Sequence, residues 1–341
     1  MVRPATRLGP IGLVLPTFVQ DTVPPWAAAY GPSGAPTPAD ADPLAELADV
    51  CSRAEALGAD ALWACDHLFW HGPALECVVA LTVAATATTR ATLGTCVMQL
   101  PLRRGADVAK QAATIQSLSQ GRFVLGVGVG SHPGEYEQAG VDYAGRGRSL
   151  DAGIAELKRS WATGQGRARG DTGPAATLSE RYRQLPEPAS VPVWVGGSSE
   201  AALHRAATLA DGWMPLFLSP GEYRDAVERL AKEADRAGRR ADEVTRSIVL
   251  FISIDDDADT GRRRGSGWMS SLYGIPAKAF ERHLVSGTAA EVAATVSAYR
   301  EAGAEHVAVY VTADEPLEQF ERLIAALSDR RARAEAASAR G

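Results

Sequence analysis

The residues of this chain best placed to move a proton stand together at Leu62-Trp63-Ala64-Cys65-Asp66-His67-Leu68-Phe69-Trp70-His71. Asp66 and His67 follow a short apolar run, Ala61–Cys65, so the pair falls where a buried strand would emerge. Histidine titrates near neutrality, and a neighbouring carboxylate can set its tautomer. The pair is therefore expected to be catalytic, with Trp70 beside it in a substrate pocket. His67 and His71 could share a helical face as metal ligands, but no third ligand lies nearby in a familiar spacing, and no metal is expected. A second cluster is Pro192-Val193-Trp194-Val195-Gly196-Gly197-Ser198-Ser199-Glu200. A buried strand, two glycines, two serines and a helix start can cradle a phosphate on free backbone N–H groups. Either serine could instead simply cap the helix. A third is Gly126-Val127-Gly128-Val129-Gly130-Ser131-His132. A dinucleotide fingerprint would need glycine at 131. The alternating glycines suit either a flat ligand close to the backbone or tight packing of barrel against helix. The stretch Leu93-Gly94-Thr95-Cys96-Val97-Met98 fits a plain strand or one with a bulge near its end.

These clusters need a frame. Eight apolar, β-rich runs recur, at Ile11–Pro16, Ala61–Cys65, Ala91–Met98, Arg122–Gly128, Val191–Gly196, Gly212–Leu216, Ser247–Ile254 and Glu305–Val311. Their hydrophobicity is continuous rather than alternating, the pattern of parallel strands buried on both faces. Helical stretches separate them. Leu44–Leu57 is one, apolar at 44, 47, 48, 51, 54 and 57 and stopped by Gly58. Eight strand–helix units predict an α/β fold of the (β/α)8 barrel type, with a doubly wound sheet as the other reading. A single barrel domain is expected over 1–330, with a tail at 331–341. Insertions are expected at about 20–43, 164–190 and 255–283. Loops after strands build barrel sites, so 20–43 and 268–276 should shape the pocket, with Trp268 and Tyr273 in it. Trp213 suits the barrel interior or the outer layer equally.

Composition narrows the function. The 341 residues carry a net charge of -6, which leaves no basic footprint for nucleic acid. No apolar run approaches the ~20 residues of a membrane helix. The opening MVRPATRLGPIGLVLPT has only a six-residue apolar stretch, where a secretory segment needs about 7–15, so no signal peptide is expected. Four cysteines, at 51, 65, 77 and 96, are too sparse for a disulfide framework and suit buried, reduced thiols in a cytoplasmic enzyme.

Taken together, GLVLPT (12–17), LWACDHLFW (62–70), TLGTCVMQLPLR (92–103), AKQAATIQSLSQGRFVLGVGVG (109–130), VPVWVGGSSEAALHRAATLADGWMP (191–215) and GTAAEVAATVSAYREAGAEHVAVYV (287–311) resemble the luciferase-like monooxygenase superfamily. Within it the chain is most similar to the branch using the deazaflavin coenzyme F420. The resemblance implies hydride transfer between deazaflavin C5 and a small organic substrate, with His67 as the proton-transfer residue beside Asp66. It implies a non-prolyl cis peptide at Cys96 and Val97 behind the ring, and a phosphate site at Gly196, Gly197 and Ser198. It also implies cofactor contact from the tip Gly128–His132, including Gly130, Ser131 and His132. A glutamate that directly follows this strand in some sugar-phosphate members is replaced by Ser131 and His132. Glu135 comes later, so that role is not carried over. The alternative within the superfamily is an FMN-dependent monooxygenase using reduced flavin and O2. A non-catalytic flavin binder and a metal-dependent barrel hydrolase are remoter readings. Members of the superfamily are commonly dimers, and Leu284-Val285 and Val292–Val296 are expected to contribute to a homodimer interface.

Overall fold

The computed structural model describes residues 10–18, 42–70, 72, 74–163, 191–313 and 315–338. The expected insertion at 164–190, that at 20–43 up to residue 41, His71 and the last three residues lie outside them. Ten strands are described: β1 Ile11–Val14, β2 Ala61–Ala64, β3 Thr92–Thr95, β4 Met98–Gln99, β5 Phe123–Gly128, β6 Val193–Gly196, β7 Gly212–Met214, β8 Thr245–Ile254, β9 Leu284–Gly287 and β10 His306–Val311. Every pairing between them is parallel, and β10 pairs with both β8 and β1, which closes the ring. β3 and β4 are two pieces of one barrel strand. Leu93 and Gly94 pair with β5, and pairing resumes at Met98 and Gln99. The peptide between them, Cys96–Val97, is cis. With β3 and β4 counted as one and β9, which pairs only with β8, left outside the ring, the barrel has eight strands, the expected (β/α)8 architecture.

Two indoles explain three of the barrel's glycines. Trp63 and Trp194 fill the interior with ring centroids 5.3 Å apart. A Cβ on Gly94 would lie 2.3 Å from Trp63, on Gly12 2.7 Å from its Nε1, and on Gly212 2.5 Å from Trp194. Only residues without a side chain leave room for the rings. The Trp63 Nε1–H donates to His306 Nε2 at 2.9 Å, so a polar pair is satisfied in the buried core. Trp213 belongs to the outer layer, where it stacks on Tyr223 at 5.4 Å.

The helices are α1 Pro43–Ala56, α2 Cys77–Ala87, α3 Gly105–Leu118, α4 Pro133–Ala139, α5 Arg146–Thr163, α6 Glu200–Leu209, α7 Pro220–Arg236, α8 Ala258–Tyr273, α9 Ala289–Glu301 and α10 Pro316–Ser338. Three expectations are corrected. The segment 255–283 is mostly α8 rather than a loop. Asp257 caps it by accepting from Thr260 N at 2.6 Å, and Gly274 ends it with φ 66°. Its glycines read as loop residues, yet a Cβ on Gly265 would lie 2.7 Å from Leu284 and 2.8 Å from Ser253, so this glycine permits close packing on β8 and β9. Leu284 and Val285 form β9, and Leu284, Val292 and Val296 are buried within this chain rather than offered to a partner. The expected tail from 331 continues α10 to Ser338.

Candidate functional site

The carboxyl ends of the strands converge on a mouth lined by aromatic rings. His67 leaves β2 three residues past Ala64 and lies against Trp70, with ring centroids 3.8 Å apart. Phe18, just beyond β1, meets both rings, at 5.6 Å and 6.1 Å. Tyr273, the last residue of α8, meets Trp70 edge-on at 6.0 Å, and His132 does the same from the end of β5. An open cavity of about 390 Å³ is bordered by His67, Trp70 and His132. Trp268 stands at the barrel mouth against Tyr310, 5.2 Å away.

The side chain that orients His67 is Glu135. Its carboxylate accepts from His67 Nδ1 at 2.8 Å, from Gln99 Nε2 at 2.9 Å, and from the backbone N–H groups of Leu68 and Phe69 at 3.1 and 3.2 Å. Burial alone would push this carboxyl up, but the hydrogen bonds from His67, Gln99 and Phe69 and the charge of His67 outweigh it and hold it below its ordinary value. An ionised Glu135 makes Nδ1 the donor. Nε2, with no partner among the described residues, is then free to accept or give a proton, and the His67 side chain is 20% exposed. Local sequence builds this arrangement. His132 and Pro133 start α4, so Glu135 falls in its first turn and faces back to the 67–69 backbone.

Asp66 does not share that role. Its carboxylate is engaged by the Arg103 guanidinium, by Gln99 N at 2.9 Å and by the Cys77 thiol at 3.5 Å, and none of its bonds goes to His67. The expected Asp–His pairing is thus replaced by a Glu–His pairing, and Asp66 ties the end of β2 to the segment after β4. Adjacent residues of an extended chain point opposite ways, which is why neighbours in sequence are not neighbours here. Asp66, Glu76 and Cys77 are the one cluster of metal-ligand type among the described residues, and Arg103 bridges both of its carboxylates, 3.0 Å from Glu76.

The expected cofactor wall is assembled around one side chain. Val97 projects from the bulge onto glycines: a Cβ on Gly128 would lie 2.6 Å from it, and on Gly196 2.9 Å. A Cβ on Gly126 would strike Thr95 O at 2.0 Å, and on Gly130 Gln99 at 1.9 Å. The glycines after Val124 therefore make room for the bulge. Cys96 is buried, with its thiol 3.6 Å from that of Cys65. Beyond the wall, Gly197 has φ 103° and Ser199 caps α6, accepting from Ala202 N at 3.2 Å. Ser198 and Gly197 are exposed there, and so is Ser131 after β5.

Comparison with known proteins places the chain. The family model described as luciferase-like monooxygenase matches residues 17–269. A phthiodiolone/phenolphthiodiolone dimycocerosates ketoreductase of Mycobacterium kansasii is 27% identical over 198 residues, covering 57% of this chain and 54% of that protein. Other mycobacterial relatives reach 34% identity over the same length, and the chain spans 64% of theirs. An F420-dependent secondary alcohol dehydrogenase, solved with an F420–acetone adduct, superimposes with a TM-score of 0.75 at 18% identity, covering 94% of this chain and 99% of that one. The oxygenating constituent of 3,6-diketocamphane monooxygenase from Pseudomonas putida, a type II Baeyer-Villiger enzyme solved with FMN, superimposes at 0.69 and 14% identity, over 94% and 97% of the two chains. With most of its length matched by that family model, the chain belongs to the luciferase-like monooxygenase family.

Proposed function

We propose that the chain is an oxidoreductase that binds coenzyme F420 at the barrel mouth and moves hydride between it and a small organic substrate at a carbonyl or alcohol carbon. The observation that carries this reading is His67, held at Nδ1 by a buried carboxylate and open at Nε2, beside an aromatic-lined cavity. The chain's own residues fit a flat heteroaromatic cofactor with a phosphate tail. Gly128 and Gly196 keep the wall around Val97 free of other side chains, and Gly197 and Ser198 present backbone at the start of α6. A reduced deazaflavin bound there supplies a hydride and no one-electron path to oxygen. Protonated at Nε2, His67 gives the proton that a substrate oxygen needs as its carbon is reduced. In the reverse direction it takes that proton away. Glu135 keeps the ring's tautomer and orientation through either step. Trp70, His132, Tyr273 and Trp268 shape the substrate side. The names of the ketoreductase and the alcohol dehydrogenase support carbonyl chemistry. Among the described residues no helix is long and apolar enough to cross a membrane, and we propose that the enzyme is a cytoplasmic homodimer acting on a small molecule.

The test is a fluorescence titration of the protein with oxidised F420 and, in parallel, with FMN. Micromolar or tighter binding of F420 alone supports the reading. Preference for FMN transfers the site to oxygen-dependent monooxygenation with a separate reductase. In the F420-loaded enzyme, His67→Ala should slow hydride transfer by about 10²–10⁴-fold while leaving F420 affinity within a few-fold. An unchanged rate and pH profile would remove His67 from the chemistry.

A further inference from the structure

Tyr310 is a buried phenol that the proton chemistry above does not use. It lies on β10 opposite Phe251 of β8 and belongs to the inward-facing series His306, Ala308, Tyr310. Only 3% of it is exposed, and its hydroxyl has no hydrogen-bond partner among the described residues. Among the described residues of the barrel strands, the other buried side-chain atom without a partner is Gln99 Oε1, and that amide is anchored through its Nε2 on Glu135. Thr95 Oγ1 donates to Gly126 O at 2.6 Å, Ser247 Oγ to Trp213 O at 2.8 Å, and Thr312 Oγ1 to Ile252 O at 2.9 Å. Below them Trp63 is paired with His306. An unpaired buried hydroxyl in such a barrel is an exception that asks for a partner.

Its surroundings say what kind. The ring stacks on Phe251 at 5.2 Å and meets Trp268 edge-on. Cys65, Tyr273 and Cys96 are the titratable groups that act on it, and with Trp268 they pack in the same cluster as Tyr310. Those two thiols engage each other, and Cys65 Sγ also reaches Cys96 O at 3.6 Å. Burial, reinforced by these neighbours, keeps the phenol protonated, hence a donor. No cation stands among these neighbours, so an anionic acceptor would be buried uncompensated. A neutral carbonyl oxygen suits the donor without that penalty.

Resting on the reading of the mouth as a cofactor and substrate site, we infer that the Tyr310 hydroxyl donates a hydrogen bond to a carbonyl oxygen of the ligand bound there. Two sources carry that group, a ring carbonyl of the cofactor and the carbonyl of a ketone substrate. Trp268, which meets the buried ring edge-on, would shift as the ligand enters.

The experiment is Tyr310→Phe in the full chain, read in three ways. The first is Tm without ligand, expected unchanged or slightly higher, because the variant deletes an unpaired hydroxyl without changing shape. The second is Kd for oxidised F420, or for FMN if the wild type prefers it. The third is the response of the cofactor-loaded protein to acetone and cyclohexanone, followed through coenzyme fluorescence. A roughly 3–10-fold weaker Kd assigns the bond to the cofactor. An unchanged cofactor Kd with a similar loss of ketone affinity assigns it to the substrate. If the wild type binds cofactor and both affinities survive in the variant, the assignment of Tyr310 is overturned while the site stands. A Tm several degrees lower gives the hydroxyl to the fold and overturns it as well. A wild type that binds neither cofactor overturns the reading of the site itself, and Tyr310 falls with it.

Discussion

Glu135→Gln removes one charge from the centre of the site and almost no volume. In the wild type four donors converge on this carboxylate: His67 Nδ1, Gln99 Nε2, and the N–H groups of Leu68 and Phe69. A carboxylate accepts all four, whereas an amide has one acceptor oxygen and must turn its own NH2 against two of the donors. Charge-assisted bonds are worth about twice neutral ones, and a buried donor left unpaired costs about 1–3 kcal/mol, so the expected loss is about 3 kcal/mol. For 341 residues the unfolding entropy is about 0.7 kcal/mol/K near the midpoint, which makes this a fall of roughly 4 °C in Tm. The pH dependence has a definite sign. Glu135 is held below its ordinary carboxyl value of 4.5, so its contribution is complete above that value. It disappears as pH falls through the lower folded value. The gap between wild type and variant should therefore be full at pH 7 and shrink on acidification below about 4.5. Differential scanning fluorimetry across pH 3.5–8 measures both. A gap under 1 °C at pH 7, or one that is constant with pH, would refute an ionised Glu135 as the anchor of the His67 loop.

Three further outcomes follow from the same geometry. Asp66→Ala leaves the Arg103 guanidinium buried without its main partner, so it should cost about 3–5 kcal/mol, read as a lowered urea midpoint; a loss under 1 kcal/mol would contradict the ion pair. Gly128→Ala places a Cβ 2.6 Å from Val97, so cofactor affinity should drop several-fold and be largely restored by adding Val97→Ala; a single variant that binds as the wild type does would show that the wall is not held by this contact. Burial pushes the Cys51 thiol up to about 12 and those of Cys77 and Cys96 well above the ordinary value, while Cys65 is partly exposed. Iodoacetamide at pH 8 should therefore label Cys65 first, as peptide mass spectrometry can show, and early labelling of Cys51 would contradict the buried state.

The barrel was legible because its signals are local. Runs such as His306–Val311 are apolar at consecutive positions, which only a strand covered on both faces can satisfy. Helix starts are equally local: Ser219 with Pro220 and Glu222, and Thr288 with Glu291, form capping boxes whose partners lie three residues apart. α8 escaped for the opposite reason. Its glycines at 261, 265 and 267 weaken helix propensity, and the compensation at Gly265, close packing on Ser253, Leu284 and Thr312, comes from three different segments of the chain.

The site divides along the same line. His67, Trp70 and His132 are legible as candidates because they follow β2 and β5 within a few residues. From sequence alone the chain determined a parallel eight-unit barrel, the strand end that carries His67, and the glycine-rich turns at Gly128–Gly130 and Gly196–Gly197. Only the tertiary structure decided which carboxylate serves His67, because Glu135 lies 68 residues away and reaches it through the fold of α4 against the end of β2. It also decided what the glycines face, a protein side chain at Val97 and Gln99, and left the Tyr310 phenol unpaired at the mouth. Hydrogen bonds and steric fit act through space over about 3–4 Å, and proximity in space between distant segments is set by closure of the barrel, which no local pattern contains.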